Sequence, residues 1–246
     1  MNMSVCIDAL FSGKDFIKSM KTIGLIGVKT FEFWSWWDKD VNAVKSAKDE
    51  LGLELAAFCT KFESLVDSTK REAYLEGLKE SIEVAKLLNC KKLITQTGND
   101  LGISREIQHK NLVEGLKMCS PILEEAKITL LVEPLNTLVD HKGYYLYSSQ
   151  EGFNIIDEVG SPNVKLLYDI YHQQYMEGNL IGNIQSNIKK IGHFHAAGNP
   201  GRNELHFGEI NYKEVIKAID DTGYDGFVGL EYFPLENPCK GIMAYL

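Results

Sequence analysis

Four polar side chains close four successive β-prone runs in the second half of the chain. Glu133 ends Leu131-Val132-Glu133-Pro134, Asp169 ends Leu167-Tyr168-Asp169, His195 ends His193-Phe194-His195, and Glu231 ends Gly229-Leu230-Glu231. They stand 36, 26 and 36 residues apart, about the length of one strand–helix unit. Three carboxylates and an imidazole gathered away from water repel one another and carry a large desolvation cost. A divalent cation removes that difficulty. Three oxygen donors and one nitrogen suit Mn²⁺, the first expectation, or Mg²⁺, Co²⁺ or Zn²⁺, and no thiolate is placed to select zinc. Each residue alone has a plain structural use, as a helix cap or a satisfied core histidine. The metal-site reading rests on their matching positions.

Convergence requires that all four side chains point inward. Neighbouring strands lie about 4.8 Å apart, and residues two apart share a face. Glu133 therefore goes with Leu131, Asp169 with Leu167 and Glu231 with Gly229, small or apolar partners that suit an interior. His193 shares a face with His195 one layer deeper, where it is expected to orient a ligand rather than bind it. Two further residues are candidates for holding substrate. His172, three positions after Asp169, can donate to substrate or to metal-bound water. Arg202, in the turn Asn199-Pro200-Gly201-Arg202, offers a guanidinium suited to a carboxylate or a polarised oxygen. In the aromatic run Phe31-Glu32-Phe33-Trp34-Ser35-Trp36-Trp37, either Glu32 or its Phe neighbours enter the interior. The aromatics suit a pocket wall, a subunit contact or packing under a loop.

The elements that must position these groups are legible from hydrophobic periodicity. Strand-like runs lie at Val5–Ile7, Gly27–Phe33, Leu53–Cys59, Lys92–Gln96, Thr129–Glu133, Val164–Asp169, Ile191–His195 and Phe227–Glu231. Helical stretches lie between them at Asp15–Thr22, Val41–Leu51, Thr69–Leu88, Ser104–Ala126, Ser149–Val159, Asn179–Lys189 and Tyr212–Thr222. Ser104 and Asn211 read as helix starts. Eightfold alternation predicts a single (β/α)8 TIM barrel domain over residues 1–246. An open doubly wound sheet would carry a Gly-rich phosphate turn after its first strand, and Val5–Ser12 has none. Only fifteen residues follow Glu231, so the eighth helix must be short or irregular.

Composition narrows the function further. With 26 Lys+Arg against 34 Asp+Glu, the net charge of −8 disfavours nucleic-acid phosphates and anionic lipid as partners. No apolar run is long enough for a membrane span, and the N-terminal segment lacks the apolar core of a signal peptide. A cytoplasmic protein is expected. The five scattered cysteines form no Cys-x-x-Cys pair and read as reduced packing residues. The expected partner is a small hydroxy-carbonyl molecule, and a homo-oligomer is compatible with the sequence.

Several segments together resemble one family. They are Leu131-Val132-Glu133-Pro134-Leu135-Asn136, Tyr168-Asp169-Ile170-Tyr171-His172, Gly192-His193-Phe194-His195, Asn199-Pro200-Gly201-Arg202-Asn203-Glu204, Gly208-Glu209-Ile210-Asn211-Tyr212 and Gly229-Leu230-Glu231-Tyr232. They are similar to the hydroxypyruvate isomerase group of the xylose-isomerase-like TIM barrels. The resemblance implies a divalent metal held by Glu133, Asp169, His195 and Glu231, and an isomerase or epimerase. Proton transfer would run through a metal-stabilised enediolate, with Glu133 and Glu231 on opposite sides of the substrate as base and acid. Two departures stand out. The group usually has Gln at the position of His195, and His-Glu-Pro where this chain reads Asn203-Glu204-Leu205. His-x-His instead looks like the ketose 3-epimerases, yet those carry an Arg and a carboxylate where Thr137, Leu138 and Val139 stand. Isomerisation of hydroxypyruvate or a related 2-oxo acid is the first expectation, with a neutral-sugar 3-epimerase second and a non-catalytic sugar- or protein-binding barrel third.

Overall fold

A computed structural model describes residues 1–245. Its strands are β1 (Asn2–Cys6), β2 (Thr30–Phe33), β3 (Glu54–Cys59), β4 (Lys92–Thr95), β5 (Thr129–Val132), β6 (Val164–Asp169), β7 (Ile191–Ala196) and β8 (Phe227–Leu230). All pair in parallel in chain order, and the sheet closes where β1 meets β8, with Asn2 opposite Phe227 and Val5 opposite Leu230. This is the eight-stranded α/β barrel that the alternation predicts.

The helices are α1 (Ile7–Leu10), α2 (Phe16–Leu25), α3 (Val41–Leu51), α4 (Arg71–Leu88), α5 (Arg105–Ala126), α6 (Ser149–Val159), α7 (Ile170–Met176), α8 (Leu180–Asn187), α9 (Tyr212–Asp221) and α10 (Pro238–Met243). Polar residues start most of them by satisfying free backbone N–H groups. Asp15 accepts from Lys18 N–H, Asp40 from Asn42 and Ala43, Ser148 from Glu151 and Asn211 from Glu214. Ser104 stands at the start of α5 as expected, but only its backbone carbonyl accepts, from Ile107 and Gln108 N–H. Periodicity overlooks α1 and α7, which leave β1 and β6 without a loop. Ile7 accordingly opens a helix instead of ending a strand. Both are too short to show an amphipathic period. The helix after β8, α10, is short, as the residue count requires.

Two packed shells follow from strand parity. Phe31, Phe33, Phe58, Leu130, Val132, Phe194 and Val228 lie in the core between sheet and helices. Ala57, Cys59, Ile94, Leu131 and Leu167 form a smaller cluster inside the cylinder. Phe33 stacks on Phe58 with ring centroids 5.2 Å apart, which settles the open question in β2: the phenyl rings take the outer shell and Glu32 enters the interior. The inside has room for that carboxylate because β8 carries Gly229 there. A Cβ at Gly229 would lie 1.9 Å from Glu32 Oε1 and 2.7 Å from His195 Cδ2.

Gly229→Ala is therefore expected to cost about 1–3 kcal/mol through overpacking, read as a lower urea midpoint. An unchanged midpoint would mean that Glu32 does not fill this space.

Candidate active site

The four strand-end residues meet at the C-terminal mouth of the barrel. Glu133 lies one residue past β5, Asp169 ends β6, His195 is in β7, and Glu231 lies one residue past β8. All four are buried, and one donor atom of each lies within 4.8 Å of the others. His195 Nδ1 is 3.5 Å from Glu133 Oε1 and 3.5 Å from Glu231 Oε2. No hydrogen-bond partner serves either nitrogen of this buried imidazole. A bare nitrogen facing carboxylates in a buried pocket calls for a proton or a cation. Three carboxylates and one imidazole fit a hard or borderline divalent ion.

The three carboxylates are not equivalent. Glu231 has a donor on each oxygen: Trp34 Nε1–H donates to Oε1 at 2.6 Å, and Arg202 donates to Oε2. Burial alone would raise its pKa, but the charges of His195 and Arg202 hold it well below the usual carboxylate range. Glu133 and Asp169 go the other way. Burial outweighs their cationic neighbours and pushes both carboxyls above their ordinary values. His195 opposes burial too, held well above the usual imidazole range by Glu231 and Glu32.

Beside the cluster opens a cavity of about 590 Å³. Glu133 and Glu231 reach its wall, together with Trp34, Phe62, Gln96, His141, Arg202 and Phe233. The guanidinium of Arg202 lies 5.4 Å from the Tyr171 ring centre and 5.8 Å from that of Phe233, which hold it over the cavity. His172 does not line the cavity. It is fully buried behind Asp169, with its Nε2 3.5 Å from Asp169 Oδ2. Its Nδ1 accepts from the Asn136 backbone N–H at 3.2 Å and from Asn136 Nδ2 at 2.7 Å, so the proton sits on Nε2. Burial lowers its pKa well below the ordinary value and keeps it neutral. The expected donor into the mouth thus faces Asp169 from behind, because α7 begins directly at the strand end and Asp169 Oδ1 accepts the His172 backbone N–H at 3.1 Å.

Two residues join the site without a clear signal in the sequence. Trp34 was one aromatic among several, and only the structure turns its indole onto Glu231 while Trp36 Nε1–H donates to Ser81 at 3.1 Å. Glu32 contacts His193, with Oε2 2.8 Å from Nε2, and its Oε1 lies 3.5 Å from His195 Nε2. Burial opposes the charge on Glu32, yet the imidazoles of His195 and His193 lower its pKa to about 2.

Comparison with known proteins places this geometry in context. The model of the xylose isomerase-like TIM barrel family matches residues 20–246. Hydroxypyruvate isomerase of Escherichia coli K12 is 33% identical over 243 residues, covering 95% of this chain and 94% of that protein. A 2-oxo-tetronate isomerase of Cupriavidus necator is 37% identical over 130 residues, covering 53% of this chain and 50% of that protein. Among solved structures, a Brucella melitensis protein described as an AP endonuclease of family 2 superposes with a TM-score of 0.94 at 25% identity, covering 98% of this chain and 97% of that one.

The raised pKa values would give cation binding at this site a signed pH dependence. The raised carboxyls of Glu133 and Asp169 favour folding below the ordinary carboxylate range, and that contribution fades as pH rises through their raised values. His195 adds a contribution lost as pH rises above 6.5 through its own raised value. Glu231, with a lowered value, contributes constantly above 4.5. A divalent cation held by these groups would replace those protons. The gap in melting temperature between protein with saturating Mn²⁺ and protein in chelator is expected to widen from pH 5 to pH 8. A gap that narrows would contradict this assignment.

Proposed function

Since the chain belongs to the xylose isomerase-like TIM barrel family and is an isomerase of its hydroxypyruvate isomerase group, we propose that it interconverts small hydroxy-keto acids with the help of a divalent cation. Hydroxypyruvate, or a related 2-oxo acid, is the proposed substrate. The observation that carries this reading is the pair Glu133 and Glu231, both in the cavity wall and both within the group of donor atoms that could hold the ion. Bound by Glu133, Asp169, His195 and Glu231, a divalent ion would supply Lewis-acid stabilisation of the negative charge that develops on substrate oxygens.

The chain's own residues account for the proton. Moving a carbonyl by one carbon starts with loss of a proton from the hydroxyl-bearing carbon next to it and ends with a proton delivered to the former carbonyl carbon, while the hydroxyl proton passes from the oxygen that becomes the new carbonyl to the old carbonyl oxygen. Glu231 suits the base, because Trp34 and Arg202 keep it ionised. Glu133 suits the acid through the carboxylate oxygen that a bound cation would leave free, because it lacks donors comparable to those on Glu231. The two roles exchange in the reverse direction. Arg202 is the cation in the cavity wall and suits a substrate carboxylate, releasing part of its hold on Glu231 when that carboxylate arrives. Asp169, buttressed by His172, keeps its place while this happens. The apolar surfaces of Trp34, Phe62 and Phe233 limit water access to the carbanion-like carbon.

His195 favours a second reading, a ketose 3-epimerase acting on neutral sugars, which returns the proton to the same carbon from the opposite face. The two readings differ at Arg202. With Mn²⁺ present, Glu133→Gln and Glu231→Gln are each expected to lower kcat on hydroxypyruvate by about 10²- to 10⁴-fold. Arg202→Met is expected to raise KM for 2-oxo acids about tenfold or more, the loss of one charge-assisted contact. Full activity of Glu231→Gln would overturn this chemistry, and turnover of neutral ketoses alone would favour the epimerase.

A further inference from the structure

We propose that Glu32, which lies outside the cavity wall, is the positioning residue that holds the His195 ring with Nε2 protonated and Nδ1 bare toward the carboxylate cluster. The inference rests on reading Glu133, Asp169, His195 and Glu231 as a cation site, and it adds a residue to that site from the far side of the barrel.

A carboxylate only accepts hydrogen bonds, so every histidine nitrogen facing it must present N–H. Glu32 faces two. Its Oε2 is 2.8 Å from His193 Nε2, and its Oε1 is 3.5 Å from His195 Nε2. Glu32 Oε1 and His195 Nε2 are both buried without a hydrogen-bond partner, and each is aimed at the other. A shift of a few tenths of an ångström satisfies both. The opposite edge of the same ring puts Nδ1 at 3.5 Å from Glu133 Oε1 and from Glu231 Oε2. Acceptors therefore flank the imidazole on both edges, and the ring that takes up a cation must be neutral, with one proton to place. Without Glu32, the three carboxylates draw that proton to Nδ1 and close the nitrogen to a cation. With Glu32 ionised on the inner side, the proton goes to Nε2 and the lone pair faces the mouth.

Two features keep Glu32 in this post. His193, whose ring meets that of His195 edge-on with centroids 5.2 Å apart, ties down the second oxygen. Gly229 leaves open the volume that Oε1 occupies, since a Cβ there would come within 1.9 Å of it. An ordinary interior carboxylate would need neither.

The experiment measures Mn²⁺ dissociation constants and stoichiometry by titration calorimetry for the wild type, Glu32→Gln, Glu32→Asp and Asp169→Asn, with urea midpoints recorded for each. It adds long-range ¹H–¹⁵N spectra of the histidine rings in Zn²⁺-loaded wild type. An amide at position 32 cannot accept from both rings without also presenting N–H, so Glu32→Gln is expected to bind Mn²⁺ about 10- to 100-fold more weakly. Glu32→Asp, still acceptor-only, is expected to bind more tightly than Glu32→Gln. The spectra should show His195 protonated at Nε2 and metal-bound at Nδ1. An unchanged dissociation constant in Glu32→Gln, the reverse order of the two variants, a proton on Nδ1, or two ions per chain with Glu32 itself a ligand would each overturn the proposal. Should Glu32→Gln not fold, the wild-type spectra decide alone. A wild type that binds no ion, or an Asp169→Asn variant that binds as tightly as wild type, would instead refute the cation site.

Discussion

Three carboxylates buried within reach of one another are the constraint around which the mouth of this barrel is organised. Like charges at such spacing, screened by protein instead of water, destabilise a fold unless cations or protons answer them. The answers present in the chain are unevenly shared. Arg202 and the Trp34 indole serve Glu231, His195 stands between Glu133 and Glu231, and Asp169 has the backbone N–H of His172. That uneven supply separates the two glutamates into an ionised and a protonation-prone member. The acid and base roles we propose draw on that separation, so the same feature that costs stability would prepare the chemistry.

The barrel meets this cost with rigidity. Ala57, Cys59, Ile94, Leu131 and Leu167 plug the cylinder below the cluster, so Leu131 and Leu167 hold the strands from which Glu133 and Asp169 project. Register shifts occur in β2 against β3 and in β6 against β7, the strands that carry Glu32, Asp169 and His195. Tyr144 fastens the exit of β5 by accepting the Thr97 N–H at 2.6 Å and donating to the Glu133 carbonyl at 3.1 Å. Each ligand candidate thus leaves a backbone that is fixed by neighbours other than the ligand itself.

A second polar layer lies deeper. Fully buried acid–imidazole pairs such as Glu32 and His193 are costly compared with apolar residues of the same volume, and a barrel interior built for stability alone would use Leu or Ile. Their presence directly beneath His195, with a glycine opposite, connects the inner layer to the mouth. On the other flank, Asn136 selects the tautomer of His172, which in turn faces Asp169. Imidazoles thus back the cluster from two sides, and in each case a neighbouring acceptor or donor decides which nitrogen carries the proton.

The barrel, the four strand-end residues and their inward orientation were legible in the chain because they depend on local periodicity: a period of two within strands, helical spacing between them, and one polar residue where each strand stops. Arg202 was legible from its place in a turn after β7. The orientation of Glu32 was not, since alternation within β2 admits two phases and the choice falls to Phe33 stacking on Phe58 in the outer shell. Nor was the place of His172, because its direction depends on α7 starting at Asp169 with no loop, and on Asn136 from a different strand end. Trp34 is the same case, one indole among three until β8 brings Glu231 to it. Contacts between residues 36 to 197 positions apart are set by closure of the cylinder, and no local pattern in a sequence encodes which distant groups closure will bring together.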